Sequence, residues 1–335
     1  MITNACNLNC CYCFANEFVG GKSHSHISVE NFRAAVDFIS TANKKETLGL
    51  IGGEPTLHPR FQELLKISDS CEDVGEVILF TNGVYLNDWL EEISKSKISI
   101  LVNVNSPEMI GVGNFQSVCG SIVNAIDNQN MSDRVSVGVN VYSSKVDYDY
   151  IFSLLNLTSL DSLRISMAIP KSISRDESPL LSLERRKKVV VRLIDKCLDS
   201  GVMPYYDCNE PPLCLVTRNE RERIIRKCGE RQVSNIYSAA SNCVPVIDIL
   251  QDLVAVRCFG LSDDLKVDIR GFETLDDLRQ FFVNNVDVYS HISYHSPECA
   301  NCYERHCKKC SGGCLAYKKE QIANMRQELP QKGAS

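Results

Sequence analysis

Cysteine placement constrains this chain more than any other feature. Its 335 residues include 17 cysteines, and they are very unevenly spread. Four fall within Cys6–Cys13 and five within Cys299–Cys314, while Cys71, Cys119 and Cys197 stand alone in the long stretch between Cys13 and Cys208. Secreted disulfide scaffolds are usually short and carry an export signal. This chain is long, and its first residues hold cysteines and asparagines rather than an apolar signal core. In a reducing cytoplasm clustered cysteines read as metal ligands, so a cytoplasmic metalloprotein with sites at its two ends is expected. A 44% hydrophobic and 23% charged composition suits a soluble chain with a sizeable core. The net charge of -6 argues against a general nucleic-acid or acidic-membrane binder. Apolar runs such as Val77–Phe80 fall far short of the ~18 residues that a membrane span needs.

At ~150 residues per domain the length suggests roughly two domains. The first half alternates strand and helix signals. Strands are expected at Met1–Asn4, Leu48–Gly52, Val77–Thr81, Ile98–Val104, Val135–Val141 and Leu163–Ile169. Helices are expected at Val29–Thr41 (capped by Ser28), Phe61–Ser68, Leu86–Ser94, Phe115–Ile126, Val146–Leu155 and Leu180–Leu198. Such alternation implies parallel βαβ units. Six are too few for a closed eight-stranded barrel, so an open, partial (β/α)6 TIM-like barrel is expected, with function at the C-terminal ends of the strands. Proline and cysteine become frequent after about Ser200, and Val244–Val256 reads as a hairpin. The expected division is 1–200 for the barrel, 201–320 for a small Cys-rich domain and 321–335 for a polar tail. Glu184–Lys188 reads as a solvated charge run on a helix.

The first chemical motif is Cys6-Asn-Leu-Asn-Cys10-Cys-Tyr-Cys13. Three thiolates on one tight loop can hold three irons of a [4Fe–4S] cluster and leave the fourth open to a small molecule. A zinc loop completed by His24 or His26 is the alternative. Cys11 is surplus and reads as a free buried thiol. The second strand ends in Gly52-Gly53-Glu54-Pro55. With Cys6, Cys10, Tyr12 and Cys13 matching C-x3-C-x-aromatic-C and residues 52 to 55 matching Gly-Gly-Glu-Pro, the chain resembles the radical S-adenosylmethionine (SAM) enzymes over roughly residues 1 to 170. The resemblance implies that the open iron is chelated by SAM. One electron then cleaves SAM to methionine and a 5′-deoxyadenosyl radical, which abstracts hydrogen from a substrate. It further implies that Tyr12 and residues 52 to 55 belong to the cofactor site, Gly52 and Gly53 allowing close approach to the methionine amino group. Later strand ends would hold the rest of SAM: Thr81 and Asn82, Asn103 and Asn105, Asn140, and Arg164 or Ser166. Relatives often carry Ser-x-Asp-Gly-Pro where this chain has Asn103-Val-Asn105-Ser106-Pro107.

The second constellation is Cys299-x2-Cys302-x4-Cys307-x2-Cys310-x3-Cys314, preceded by Cys208-x5-Cys214 and Cys243-x14-Cys258. Such thiolates suit zinc or iron–sulfur clusters, with His306 as an alternative ligand. The pattern resembles the SPASM or twitch extension of some radical SAM enzymes, which binds one or two auxiliary [4Fe–4S] clusters. The resemblance implies one cluster on Cys243, Cys258 and Cys314, with Cys214 or Cys208 as fourth ligand or an open iron. A second would sit on Cys299, Cys302, Cys307 and Cys310. The family often takes a last ligand from beyond the Gly-Gly-Cys, and no cysteine follows Cys314.

Relatives with this extension mostly modify ribosomally made peptides or proteins, by cross-link, thioether, epimerisation or oxidation. The expected function is therefore hydrogen abstraction from a peptide or protein substrate, with flavodoxin or ferredoxin as reductant and no nucleic-acid or membrane partner. No leader-peptide-binding domain is apparent ahead of the cluster loop. A radical SAM dehydrogenase of a small molecule such as an aminocyclitol is one alternative, and a non-catalytic iron–sulfur or zinc protein is another. Asp207, Cys208 and Cys214 are candidates for the catalytic acid or base.

Overall fold

A computed structural model describes the chain except for residues 14, 16–18, 20–23, 170–178, 207, 230–242, 244, 294–296 and 329–335. Six strands form one sheet: β1 (Thr47–Leu50), β2 (Glu76–Thr81), β3 (Ser99–Asn103), β4 (Val135–Val141), β5 (Ser162–Met167) and β6 (Met203–Tyr205). They lie in sequence order and every neighbouring pair is parallel. α1 (Val29–Ile39) precedes β1, and helices occupy the crossovers: α2 (Phe61–Ser70), α3 (Leu90–Ser94), α4 (Pro107–Ile110), α5 (Val112–Asp127), α6 (Tyr150–Thr158) and α7 (Pro179–Asp199). This is the partial β/α barrel that the strand and helix alternation predicts.

The two faces of the sheet differ because side chains alternate along a strand. Val102, Val137, Val139 and Ile165 are fully buried and lie side by side in register. On the alternate positions stand Asn103, Gly138, Asn140, Arg164 and Ser166, also in neighbouring register. The polar row thus sits at the C-terminal ends of β3 to β5. α1 begins where Ser28 Oγ accepts the Asn31 N–H at 3.1 Å, and Phe32, Ala35 and Val36 bury one stripe of it.

Met1–Asn4 departs from expectation. It is no strand, although it runs beside the continuation of β1: Ile2 N–H donates to Ile51 O at 2.7 Å and Gly53 N–H to Thr3 O at 2.8 Å. The bonds are unevenly spaced because the partner chain is already turning at Gly52-Gly53. The sixth strand is instead Met203–Tyr205, paired with Ser162–Arg164, so the sheet continues beyond residue 200. α6 starts at Tyr150 rather than Val146, because Asp147 and Asp149 form a local turn, Asp149 N–H to Asp147 Oδ1 at 2.9 Å. The charge run 184–188 is not wholly solvated. Arg186 is 4% exposed and donates to Val141 O at 2.8 Å and Ala168 O at 2.7 Å, satisfying carbonyls at the ends of β4 and β5.

Beyond the sheet, α8 (Arg218–Cys228) starts on a Thr217–Glu220 capping box. The expected hairpin is present as β7 (Asp248–Ile249) and β8 (Val254–Val256), antiparallel, joined by β9 (Lys266–Asp268). The segment read as a polar tail is helical over Lys319–Glu328, held by Ile322, which is fully buried. Among the described residues no helix is long and apolar enough to cross a membrane.

Candidate active site

The N-terminal loop is fixed by close backbone contact. A Cβ on Gly52 would stand 2.5 Å from Thr3 O, and one on Gly53 would stand 2.3 Å from Ala5 O. Only glycine lets residues 3–5 lie on this turn, so the close approach that the glycine pair allows here is with the segment leading into Cys6. Glu54 N–H then donates to Ala5 O at 2.7 Å.

The Glu54 carboxylate is fully buried and fastens this turn to the end of β2. Oε1 accepts from Thr81 Oγ1 at 2.7 Å, Thr56 Oγ1 at 2.7 Å and Thr56 N–H at 3.2 Å, and Oε2 accepts from Asn82 N–H at 2.7 Å. Burial pushes its pKa up, against the pull of these bonds. Asn82 Nδ2 in turn donates to Asn7 Oδ1 at 2.8 Å, tying β2 to the cysteine loop. Pro55 is buried and opens a single 3-10 turn.

Cys6, Cys10 and Cys13 converge on this loop, each partly buried. Burial and the neighbouring Cys13 and Cys6 push the Cys10 thiol up to about 12, and burial chiefly raises Cys6 as well. Ionising all three together is unfavourable without a cation among them, which is what a bound metal supplies. Cys11 corrects an expectation: it is exposed, on the turn that follows Cys10. His26 is engaged by Thr3 Oγ1 at 2.9 Å and packs edge-on to His58.

Tyr12 locks the loop to the polar row of the sheet. Its hydroxyl donates to Asn105 Oδ1 and accepts from Asn140 Nδ2 at 3.3 Å. Its ring stacks on Tyr142 with centroids 4.9 Å apart. Asn140 Nδ2 also reaches Asn103 Oδ1 at 3.2 Å, and Arg164 Nη1 reaches the same oxygen at 3.3 Å. Arg164 lies across β4 because Gly138 has no side chain; a Cβ there would stand 2.8 Å from Arg164 Cδ. Ser166 Oγ accepts from Asn209 Nδ2 at 3.1 Å.

The tail cysteines fall into two groups, parted by one chain crossing. Gly313 lies directly on residues 210–212, where a Cβ would stand 2.5 Å from Glu210 O, and Cys314 N–H donates to Glu210 O at 2.9 Å. On one side, Cys208 Sγ and Cys314 Sγ both approach Asn209 Oδ1, at 3.5 and 3.6 Å. Cys314 hydrogen-bonds Cys243, which is thereby pulled well below the usual thiol range, helped by Arg257 Nη1 at 3.3 Å from its sulfur. Burial pushes Cys258, beside them, up to about 11. Arg257 is 1% exposed and ion-paired with Asp287. On the other side, Cys214, Cys299, Cys302 and Cys310 line one cavity of about 210 Å³ with Arg221, Glu304 and Arg305.

The Radical SAM superfamily model matches residues 1–121. Residues 1–121 are a radical SAM domain. Curated relatives include the GTP 3′,8-cyclases of Clostridium perfringens, 28% identical over 167 residues (47% of this chain, 49% of the relative), and of Desulforamulus reducens, 27% identical over 134 residues (38% and 41%). The chain spans about half the length of the curated relatives it matches. Solved structures extend the likeness through the tail. That of anSMEcpe with bound AdoMet and Kp18Cys peptide has a TM-score of 0.64 at 15% identity, covering 97% of both chains. Streptococcus suis SuiB bound to S-adenosylmethionine has a TM-score of 0.58 at 15% identity, covering 97% of this chain and 72% of that one. At these identities the likeness is one of fold.

Within the radical SAM domain and the strands that follow it, the structure brings together Cys6, Cys10, Tyr12, Cys13, Gly52, Gly53, Glu54, Pro55, Thr81, Asn82, Asn103, Asn105, Asn140, Arg164 and Ser166. In the tail, Cys208, one of the two expected alternatives, accompanies Cys243, Cys258 and Cys314. Against expectation, Cys307 is not among the cavity's lining residues, nor is the alternative ligand His306. The reason is local: Lys309 and Cys310 N–H groups both turn back to Glu304 O, at 2.7 and 3.1 Å. This hook returns Cys310 to the cavity and leaves Cys307 exposed. Asp207 lies outside the described residues. Sequence reasoning missed Asn7, Tyr142 and Asn209. Asn7, inside the cysteine motif and followed 75 residues later by its partner, carries no short-range signal.

Proposed function

We propose that this protein is a radical SAM enzyme that abstracts hydrogen from a peptide or protein substrate. The observation that carries the reading is the loop of Cys6, Cys10 and Cys13, pinned at the C-terminal edge of a partial barrel through Tyr12 and through Gly52–Glu54. The donor set fits a [4Fe–4S] cluster: three soft thiolates crowded on one loop. When bound, that cluster supplies the electron that cleaves SAM to methionine and the 5′-deoxyadenosyl radical that takes hydrogen from the substrate. The chain's own residues position and exclude. Glu54 holds the Gly-Gly turn against β2. Tyr12, held by Asn105, Asn140 and Tyr142, fixes the direction of Cys10 and Cys13. Asn103, Asn140, Arg164 and Ser166 offer a polar floor for the ribose and carboxylate of SAM.

The tail suits one or two auxiliary clusters, and the group Cys208, Cys243, Cys258 and Cys314 offers four thiols for one of them. The peptide reading is supported by a fold that follows anSMEcpe, solved with a peptide, across 97% of both chains. A second reading, a purine nucleotide substrate, is favoured by sequence similarity to GTP 3′,8-cyclases over 47% of this chain. Thiolate clusters and the need for a low-potential electron support the reading of a reducing cytoplasm, with flavodoxin or ferredoxin as donor.

The test is anaerobic incubation of reconstituted protein with SAM and dithionite. The expected result is 5′-deoxyadenosine well above a Cys10→Ala control, stimulated by cysteine-containing peptides. Deuterium should pass from a Cβ-deuterated cysteine of the peptide into 5′-deoxyadenosine. Stimulation by GTP and not by peptide would transfer the conclusion to the second reading, and no 5′-deoxyadenosine above the control would remove both.

A further inference from the structure

We infer that Cys214 completes, with Cys299, Cys302 and Cys310, a four-thiolate site for a [4Fe–4S] cluster in the tail cavity, and that Cys307 takes no part in it. The assignment rests on reading the tail as an iron–sulfur domain, but not on SAM cleavage. Its basis is placement. The four sulfur-bearing residues line one cavity of about 210 Å³, to which Pro212, Leu213 and Gly312 add an apolar and backbone wall. Cys214 sits in the short 3-10 turn Leu213–Leu215, which begins directly after Pro212.

The crossing explains why a residue so distant in sequence arrives there. The segment from Cys208 to Cys214 crosses the Cys310–Cys314 loop, with Gly313 in contact with Glu210, Pro211 and Pro212. Each of the two passing segments therefore gives one cysteine to each side. Cys208 and Cys314 face Asn209, and Cys214 and Cys310 face the cavity. Cys214 thus gives this site a fourth donor from the segment that precedes the tail.

The surroundings carry a net positive charge that suits an anionic thiolate cluster. Arg221 and Arg305 line the same cavity with one carboxylate, Glu304, which pairs with Arg221 at 3.7 Å. Lys318, 2% exposed, donates to Ser311 O at 2.9 Å in the Cys310–Cys314 loop. Among the described residues no three His, Cys, Asp or Glu side chains are grouped to hold a single metal ion.

The test uses the full chain carrying Cys6→Ala, Cys10→Ala and Cys13→Ala, so that bound iron reports the tail alone and the result is independent of SAM chemistry. After anaerobic reconstitution this protein should hold about eight irons, at four per cluster. Cys214→Ser should lower this to about four, and Cys307→Ser should leave it unchanged. Iodoacetamide labelling read by mass spectrometry should modify Cys307 but not Cys214 in the loaded protein, and both after the iron is stripped. Should Cys214→Ser fail to fold by circular dichroism, this labelling on the otherwise unaltered tail decides. Full iron in Cys214→Ser, loss of iron in Cys307→Ser, labelling of Cys214 in the loaded protein, or zinc in place of iron would each overturn the assignment.

Discussion

Replacing Gly53 by alanine tests how the cluster loop is held. The added Cβ would lie 2.3 Å from Ala5 O, 2.8 Å from Ala5 C and 3.0 Å from Asn4 O. All three are backbone atoms, so no rotamer change can relieve the clash. The loop must retreat by roughly an ångström, and the bonds Gly53 N–H to Thr3 O and Glu54 N–H to Ala5 O, at 2.8 and 2.7 Å, stretch with it. Overpacking typically destabilises by about 1–3 kcal/mol, and each weakened hydrogen bond adds about 1 kcal/mol. The expected loss is therefore about 3–5 kcal/mol, together with displacement of Cys6, which follows Ala5 directly. Gly120 on α5 is the control. A Cβ there meets nothing within 4 Å, so Gly120→Ala should stabilise by about 0.5–1 kcal/mol. Anaerobic urea unfolding of the metal-free proteins gives the stabilities, and iron per chain after reconstitution reports the loop. If Gly53→Ala unfolds at the wild-type midpoint and loads iron in full, the loop is not held against this turn.

Two further substitutions examine the polar framework. Glu54→Gln leaves one backbone N–H, of either Asn82 or Thr56, facing an amide N–H whichever way the side chain turns, and should destabilise by about 1–3 kcal/mol at neutral pH. Because burial raises the Glu54 pKa above its ordinary 4.5, its favourable contribution is complete below that value and diminishes as pH rises through the folded-state value. The stability difference between wild type and Glu54→Gln should shift in that sense in urea titrations from pH 4 upward, and an opposite slope would refute it. Gly138→Ala places a Cβ 2.8 Å from Arg164 Cδ; it should cost about 1–3 kcal/mol and weaken SAM binding to the reconstituted protein in equilibrium dialysis. Unchanged SAM affinity would remove Arg164 and Asn103 from the proposed cofactor floor.

Local signals carried most of the first half. Ser28 before an apolar stripe gave α1, and the Cys6–Cys13 and Gly52–Pro55 motifs announced both walls of the site, because each motif is continuous in sequence. What stayed hidden depends on distance. Glu54 meets Thr81 and Asn82 across 27 and 28 residues, and the polar row of Asn103, Asn140 and Arg164 exists only once parallel register aligns three strands. Met203–Tyr205 is not legible because three residues just beyond a charged helix give almost no alternation to read, whereas Met1–Asn4 is kept out of the sheet by the turn at Gly52-Gly53.

The tail shows the same limit in sharper form. Spacing alone groups Cys307 with Cys310 and Cys208 with Cys214, since near neighbours in sequence are the natural partners. The fold separates both pairs for physical reasons that spacing does not encode. In the first pair, two backbone N–H groups converge on Glu304 O and turn Cys307 away from Cys310. In the second, Pro211 and Pro212 fix an extended backbone, and that run carries Cys208 and Cys214 to opposite sides of Gly313. The glycine is required because its φ of +72° and its contact with Glu210 O leave no room for a side chain. Donor chemistry is thus written in the cysteine count, but which donors share a site is written in one glycine and two prolines.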